Sequence, residues 1–173
     1  MDSAAVRAPP VGRYACAAMR LATFLPPSSS APRAGEVRGD RVVAFADERV
    51  TVLDRLRDPR MPAGDGPSFA LAEVTLLAPV PRPRAIFGIG LNYADHIAET
   101  GGTAPEAPLV FMKLPSSAAS PGAPVRCPEV VKRLDYEGEL AVVMGADAQV
   151  AGYAVANDLT ARDLQGRELQ WTR

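Results

Sequence analysis

The sequence predicts an α+β protein that is mostly β. Two observations predict it. Short apolar runs that suit strands outnumber the stretches with helical spacing, and turn-forming residues separate them throughout, with 17 prolines and 14 glycines in 173 residues. A third observation fixes where the chemistry belongs. Asp135, Glu137 and Glu139 crowd three carboxylates into five residues, directly against the apolar run Leu140–Met144. Unpaired charge is costly to bury, so such a strand either faces water on its acidic side or holds a cation.

Residues 20–25 read as a first strand, and residues 26–35 as a loop of proline, serine and alanine. Residues 36–38 and 41–46 flank Gly39-Asp40 and read as a hairpin. Apolar residues at 50, 52, 53 and 56 suit a short amphipathic helix over 50–57. Residues 59–67 are a breaker-rich loop, 73–77 another strand, and 79–83 a proline-stiffened linker. The expected division is therefore a leader at 1–18, a small β-rich module at 19–80 and a main domain at 81–173. The leader is rich in alanine, proline and arginine and has no periodicity, so Met19 is the expected true start.

After the linker, residues 85–90 read as a buried strand, 91–99 as a short helix and 109–113 as a strand ending in Lys113. Residues 135–144 are the acidic strand, 150–157 a further strand ending at Asp158, and 161–171 a helical pattern. The four residues 146–149 are a tight connector that forces hairpin-like pairing.

Composition excludes several classes. Apolar content of 47%, charged content of 23% and a net charge of -1 give a soluble globular chain with no basic face for nucleic acid. No apolar run is long enough to cross a membrane. Two cysteines and no secretory signal point to a reducing cytoplasm.

Three groups of residues carry candidate chemistry. Glu137 and Glu139 lie two apart on one strand face, and Asp158 ends the next strand. An all-oxygen set of this kind suits Mg²⁺, Mn²⁺ or Ca²⁺ rather than zinc. On spacing alone a solvated acidic face accounts for it equally well, and Asp135 is read as supporting rather than ligating. His96, the single histidine, has Glu99 on the same face of a helical turn. That is the base-plus-orienter arrangement that proton abstraction uses, although a surface pair has the same spacing. Lys113, Arg162 and Gln165 supply a cation and donors for an anionic substrate.

Taken in order, the segments Ile89–Glu99, Pro108–Lys113, Asp135–Val143 and Gly152–Gln165 resemble the fumarylacetoacetate hydrolase family. The resemblance is strong over residues 85–173, and residues 19–80 are similar to the small N-terminal module of many bacterial members. It implies a mixed-β, barrel-like catalytic core, usually dimeric. It implies Mg²⁺ or Mn²⁺ held by Glu137, Glu139 and Asp158. It implies His96, backed by Glu99, as the group that activates water, with Lys113 and Gln165 holding a keto-acid substrate. The implied reaction is hydrolysis of a C–C bond in a diketo acid. Hydration, decarboxylation or isomerisation on the same scaffold, or a non-catalytic fragment, are the other expectations. Family members normally place a helical segment between the strands that residues 146–149 connect here. Their catalytic domain also continues beyond the segment that ends here at Arg173 and supplies a further lysine. The expectation is thus an incomplete catalytic domain with a partly assembled site.

Overall fold

The computed structural model describes residues 19–62, 64–99, 101–168 and Trp171. The expected leader lies outside the described residues. Residues 20–77 hold a five-stranded antiparallel sheet. Its strands are β1 (Arg20–Leu25), β2 (Arg33–Arg38), β3 (Arg41–Ala44), β4 (Ser68–Ala70) and β5 (Thr75–Leu77), in the order β4-β3-β2-β1-β5. β2 begins at Arg33, inside the stretch expected to be loop, because residues 33–37 pair along β1 from Phe24 to Arg20. The expected turn forms at Gly39-Asp40, with Arg38 opposite Arg41 and Gly39 at φ 61°. Positive φ is what a two-residue hairpin of the primed type requires.

The core of this sheet is small and closed. Phe24 and Val42 are fully buried with Ala22 and Ala44, and Val37, Phe69, Leu71 and Val74 pack around them. Phe24 and Phe69 meet with ring centroids 5.8 Å apart. A second cluster of Ala34, Phe45 and Val52 seats the helix α1 (Val52–Arg57). Thr51 caps α1 reciprocally. The Asp54 N–H donates to the Thr51 hydroxyl oxygen at 3.2 Å, and the Thr51 N–H donates to the Asp54 carboxylate at 3.0 Å.

The other strands form two hairpins and a short pair. β6 (Ile86–Gly90) pairs with β7 (Leu109–Lys113), and the connection between them contains the helix α2 (Ala94–Glu99). The acidic stretch is not one continuous strand. It is β8 (Leu134–Asp135) and β9 (Gly138–Met144), interrupted at Tyr136-Glu137. β9 pairs with β10 (Val150–Asn157), and β8 pairs with β11 (Thr160–Ala161). The connector between β9 and β10 is a single 3-10 turn at Ala146–Ala148. The helical pattern expected at 161–171 shortens to α3 (Arg162–Gln165), followed by a turn at residues 166–167.

The resemblance implied a mixed sheet. Among the described residues every pairing is antiparallel, and the strands curl into a half-barrel. Leu56 of α1 lies against β10 at Gly152 and joins the first sheet to the second hairpin.

Each hairpin has one apolar face in the open. On β6–β7 that face carries Phe87, Ile89, Val110 and Met112. On β9–β10 it carries Leu140, Val142, Tyr153 and Val155, with Val155 91% exposed.

The cap of α1 yields a stability prediction. Thr51→Ala removes it and is expected to cost about 1 kcal/mol in urea unfolding. The Thr51 hydroxyl, and then its N–H, hold the Asp54 carboxyl below the ordinary carboxylate range, against a slight burial cost. A lowered folded pKa stabilises above the unfolded value and is lost as pH falls through the folded one. Acid should therefore erode stability less steeply in Asp54→Asn than in the parent chain, as read by unfolding midpoints across acidic pH.

Candidate metal and substrate site

The site is built where the acidic stretch breaks. Thr160 stands opposite Asp135, and Gly138 opposite Asn157. Between them the chain bends, and two hydrogen bonds carry the pairing across. The Asp158 N–H donates to the Glu137 carbonyl at 2.8 Å, and the Glu137 N–H donates to the Asn157 side-chain oxygen at 3.0 Å. The bend separates Asp135 from its neighbours and leaves Glu137, Glu139 and Asp158 facing each other. One carboxylate oxygen from each lies within 4.8 Å of the others.

These three residues fit a divalent cation. Oxygens bound to one Ca²⁺ or Mg²⁺ lie at about 2.0–2.6 Å from the ion, so they are no more than roughly 5 Å apart. The donor set is all carboxylate, which suits hard cations. The charges are also partly withdrawn from water. The Asp158 side chain is 9% exposed and that of Glu137 25%. Burial, and then the charges of Asp158 and Glu137, raise the Glu139 carboxyl above its ordinary range, while Lys113 offsets part of the rise.

Cations of the chain balance the rest. The Lys113 ammonium pairs with Asp158 and also reaches the Leu159 carbonyl at 3.4 Å. The Arg162 guanidinium joins Glu137 and Asp135, the latter at 2.9 Å, and donates to the Gln165 side-chain oxygen at 3.2 Å. Arg162 holds the Asp135 carboxyl below its ordinary range. Burial works against the Arg162 charge, but the bonds to Asp135 and Glu137 outweigh it and raise its pKa. Of the residues expected to meet substrate, Lys113 and Arg162 thus also meet the carboxylates, and Gln165 meets Arg162. Asp135 anchors Arg162 and stands outside the triad.

His96 and Glu99 sit on α2, which follows the turn out of β6. The turn includes Leu91 at φ 52°, a left-handed conformation that a branched side chain adopts at a cost. Both side chains line a cavity of about 530 Å³, together with Glu137, Glu139, Arg162 and Gln165. The Tyr93 phenol oxygen accepts the Leu140 N–H at 2.9 Å and ties the start of α2 to β9 beside Glu139.

Two positioning residues escaped the sequence reading. Tyr93 is one. The other is Thr160, which is 3% exposed and whose hydroxyl donates to Glu137 at 3.1 Å. Neither has a signal in spacing. Each partner is set by strand register, and the register was fixed by a break that alternation did not reveal.

The model of the fumarylacetoacetate (FAA) hydrolase C-terminal family matches residues 85–173, just over half of the chain. The chain belongs to the fumarylacetoacetate hydrolase family. Among curated relatives, the Bacillus subtilis oxaloacetate tautomerase YisK is 41% identical over 77% of this chain and 48% of its own length. Protein Rv2993c of Mycobacterium tuberculosis is 40% identical over 65% of this chain and 46% of its own length. The fumarylacetoacetate hydrolase of Exiguobacterium antarcticum superposes with a TM-score of 0.73 at 31% identity, covering 90% of this chain and 61% of that one. The chain therefore spans about half the length of these curated relatives. No helix among the described residues is long and apolar enough to cross a membrane.

Thr160→Val keeps the shape and removes the hydroxyl that orients Glu137. It is expected to weaken any divalent-cation binding at the triad by about tenfold or more in a calorimetric titration, with little change in the unfolding midpoint.

Proposed function

We propose that this family member acts on a 2-oxo acid bound beside the triad, with His96 moving a proton at the carbon next to the keto group. The observation that carries this reading is that His96, Glu99, Glu137 and Glu139 face one cavity. The reaction class is keto–enol isomerisation. Relatives named as oxaloacetate tautomerases, at 34% and 41% identity, favour it, as does a structural neighbour titled 5-carboxymethyl-2-hydroxymuconate delta-isomerase.

His96 in its neutral form takes a proton from C3 of the keto form. The C–H electron pair becomes the C2–C3 double bond, the carbonyl π pair moves to the keto oxygen, and that oxygen takes the proton from the imidazolium to give the enol. The reverse sequence runs enol to keto. Glu99, one helical turn on, favours the charged imidazolium that forms part-way. Arg162 and Gln165 hold the substrate carboxylate. Glu137, Glu139 and Asp158 would hold a divalent cation, Mg²⁺ or Mn²⁺, whose Lewis acidity lowers the cost of charge on the keto oxygen.

A second reading is C–C hydrolysis of a 2,4-diketo acid, favoured by the neighbour titled fumarylacetoacetate hydrolase. There His96 takes the proton of a water that adds to the distal ketone. The C3–C4 bond breaks with its electron pair passing to C3 as an enolate, and the imidazolium returns its proton there, giving a carboxylic acid and a 2-oxo acid.

The test is turnover of enol oxaloacetate, followed by ultraviolet absorbance, beside cleavage of an acylpyruvate. His96→Ala is expected to lower kcat about a hundredfold to ten-thousandfold. Chelation should abolish turnover, and added Mg²⁺ should restore it in the parent chain but not in Glu137→Ala. A chain that turns over neither compound with Mg²⁺ or Mn²⁺ present would overturn both readings.

A further inference from the structure

The cavity has a second wall. Besides the carboxylates it is lined by Phe111 and Trp171. Their rings meet edge to face, with centroids 6.2 Å apart and planes at 62°. The two glycines of β6 make room for them. A methyl group at Gly88 would overlap the Phe111 ring, and one at Gly90 would lie 2.8 Å from Trp171 Cζ3. Gly88 is paired with Phe111 in the register, so the ring folds back over its own partner position. Neither glycine sits at positive φ, so their use here is the space left by a missing side chain.

The lining of the cavity therefore includes both polar groups and an aromatic pair. A 2-oxo acid held by its carboxylate and keto oxygens among the polar groups must direct the rest of its chain elsewhere. Phe111 offers no hydrogen-bond donor, and the Trp171 indole offers one. A second carboxylate placed against this wall would lose water without equivalent partners. An apolar or planar unsaturated group would lose little and gain ring contact.

We propose that Phe111 and Trp171, seated over Gly88 and Gly90, form the subsite that selects the far end of the substrate, taking an apolar or planar unsaturated group in preference to a second carboxylate. This deepens the proposed action on 2-oxo acids and rests on it for the orientation of the ligand.

Trp171 is the single tryptophan of the sequence, so its fluorescence reports on this wall without any need for turnover. The ligands are the inert 2-hydroxy analogues phenyllactate and malate, titrated with Mg²⁺ into the full chain and into His96→Ala. Phenyllactate is expected to shift Trp171 emission in both proteins and to bind about tenfold more tightly than malate. Gly90→Ala, which crowds the indole, should reduce that preference several-fold. Kinetically, Trp171→Ala should lower kcat/KM for phenylpyruvate about tenfold more than for oxaloacetate. Malate binding as tightly as phenyllactate, or a preference unchanged in Gly90→Ala and Trp171→Ala, would overturn the proposal. Loss of all turnover with the phenyllactate preference intact would overturn the proposed reaction and leave the subsite standing. Turnover without discrimination would do the reverse.

Discussion

Three carboxylates cannot share a space of a few ångströms, partly out of water, unless something offsets their repulsion. Most features near Glu137, Glu139 and Asp158 answer that constraint. Lys113 arrives at Asp158 from the end of β7, and Arg162 arrives at Glu137 from the start of α3. Asp135 steadies Arg162 from outside the group. What stays uncompensated falls on Glu139, whose carboxyl is pushed upward. A divalent cation is the natural completion of such a set, because it replaces repulsion with a common attraction.

The fold serves that arrangement by bringing distant segments together. The interrupted pairing of β8–β9 with β10–β11 places residues about twenty apart in sequence face to face. Asn157 keeps the pairing whole across the break by accepting the N–H that would otherwise lack a partner. Tyr93 then fastens the His96 helix to the same strand. His96, Glu99 and the carboxylates thus belong to one frame rather than to two adjoining loops.

Much of this was legible in the sequence, and the limits have physical reasons. Strand character at 20–25, 109–113 and 150–157 and the turn at Gly39-Asp40 came through because local apolar patterning and turn chemistry agree with the tertiary pairing. The approach of Glu137, Glu139 and Asp158 came through because all three lie on or just beside the paired ends of β9 and β10. The break at Tyr136-Glu137 did not. Alternation predicts a continuous strand, and nothing local marks where a pairing will bend. The helix at 161–171 was overextended, since its period continues past Gln165 while the described helix gives way to a turn. The strand pattern of residues 85–90 assigns Gly88 and Gly90 no use, because a missing side chain has meaning only when the ring that fills its place is known.

The open apolar faces of the two hairpins have a consequence of another kind. Phe87, Val110 and Met112 on one, and Leu140, Tyr153 and Val155 on the other, present more hydrocarbon to water than scattered surface residues would. Anything that covers those faces only in the folded state adds to folding free energy as the logarithm of its own concentration. Where such a cover binds, the durability of this fold depends on the mixture it occupies as well as on the chain.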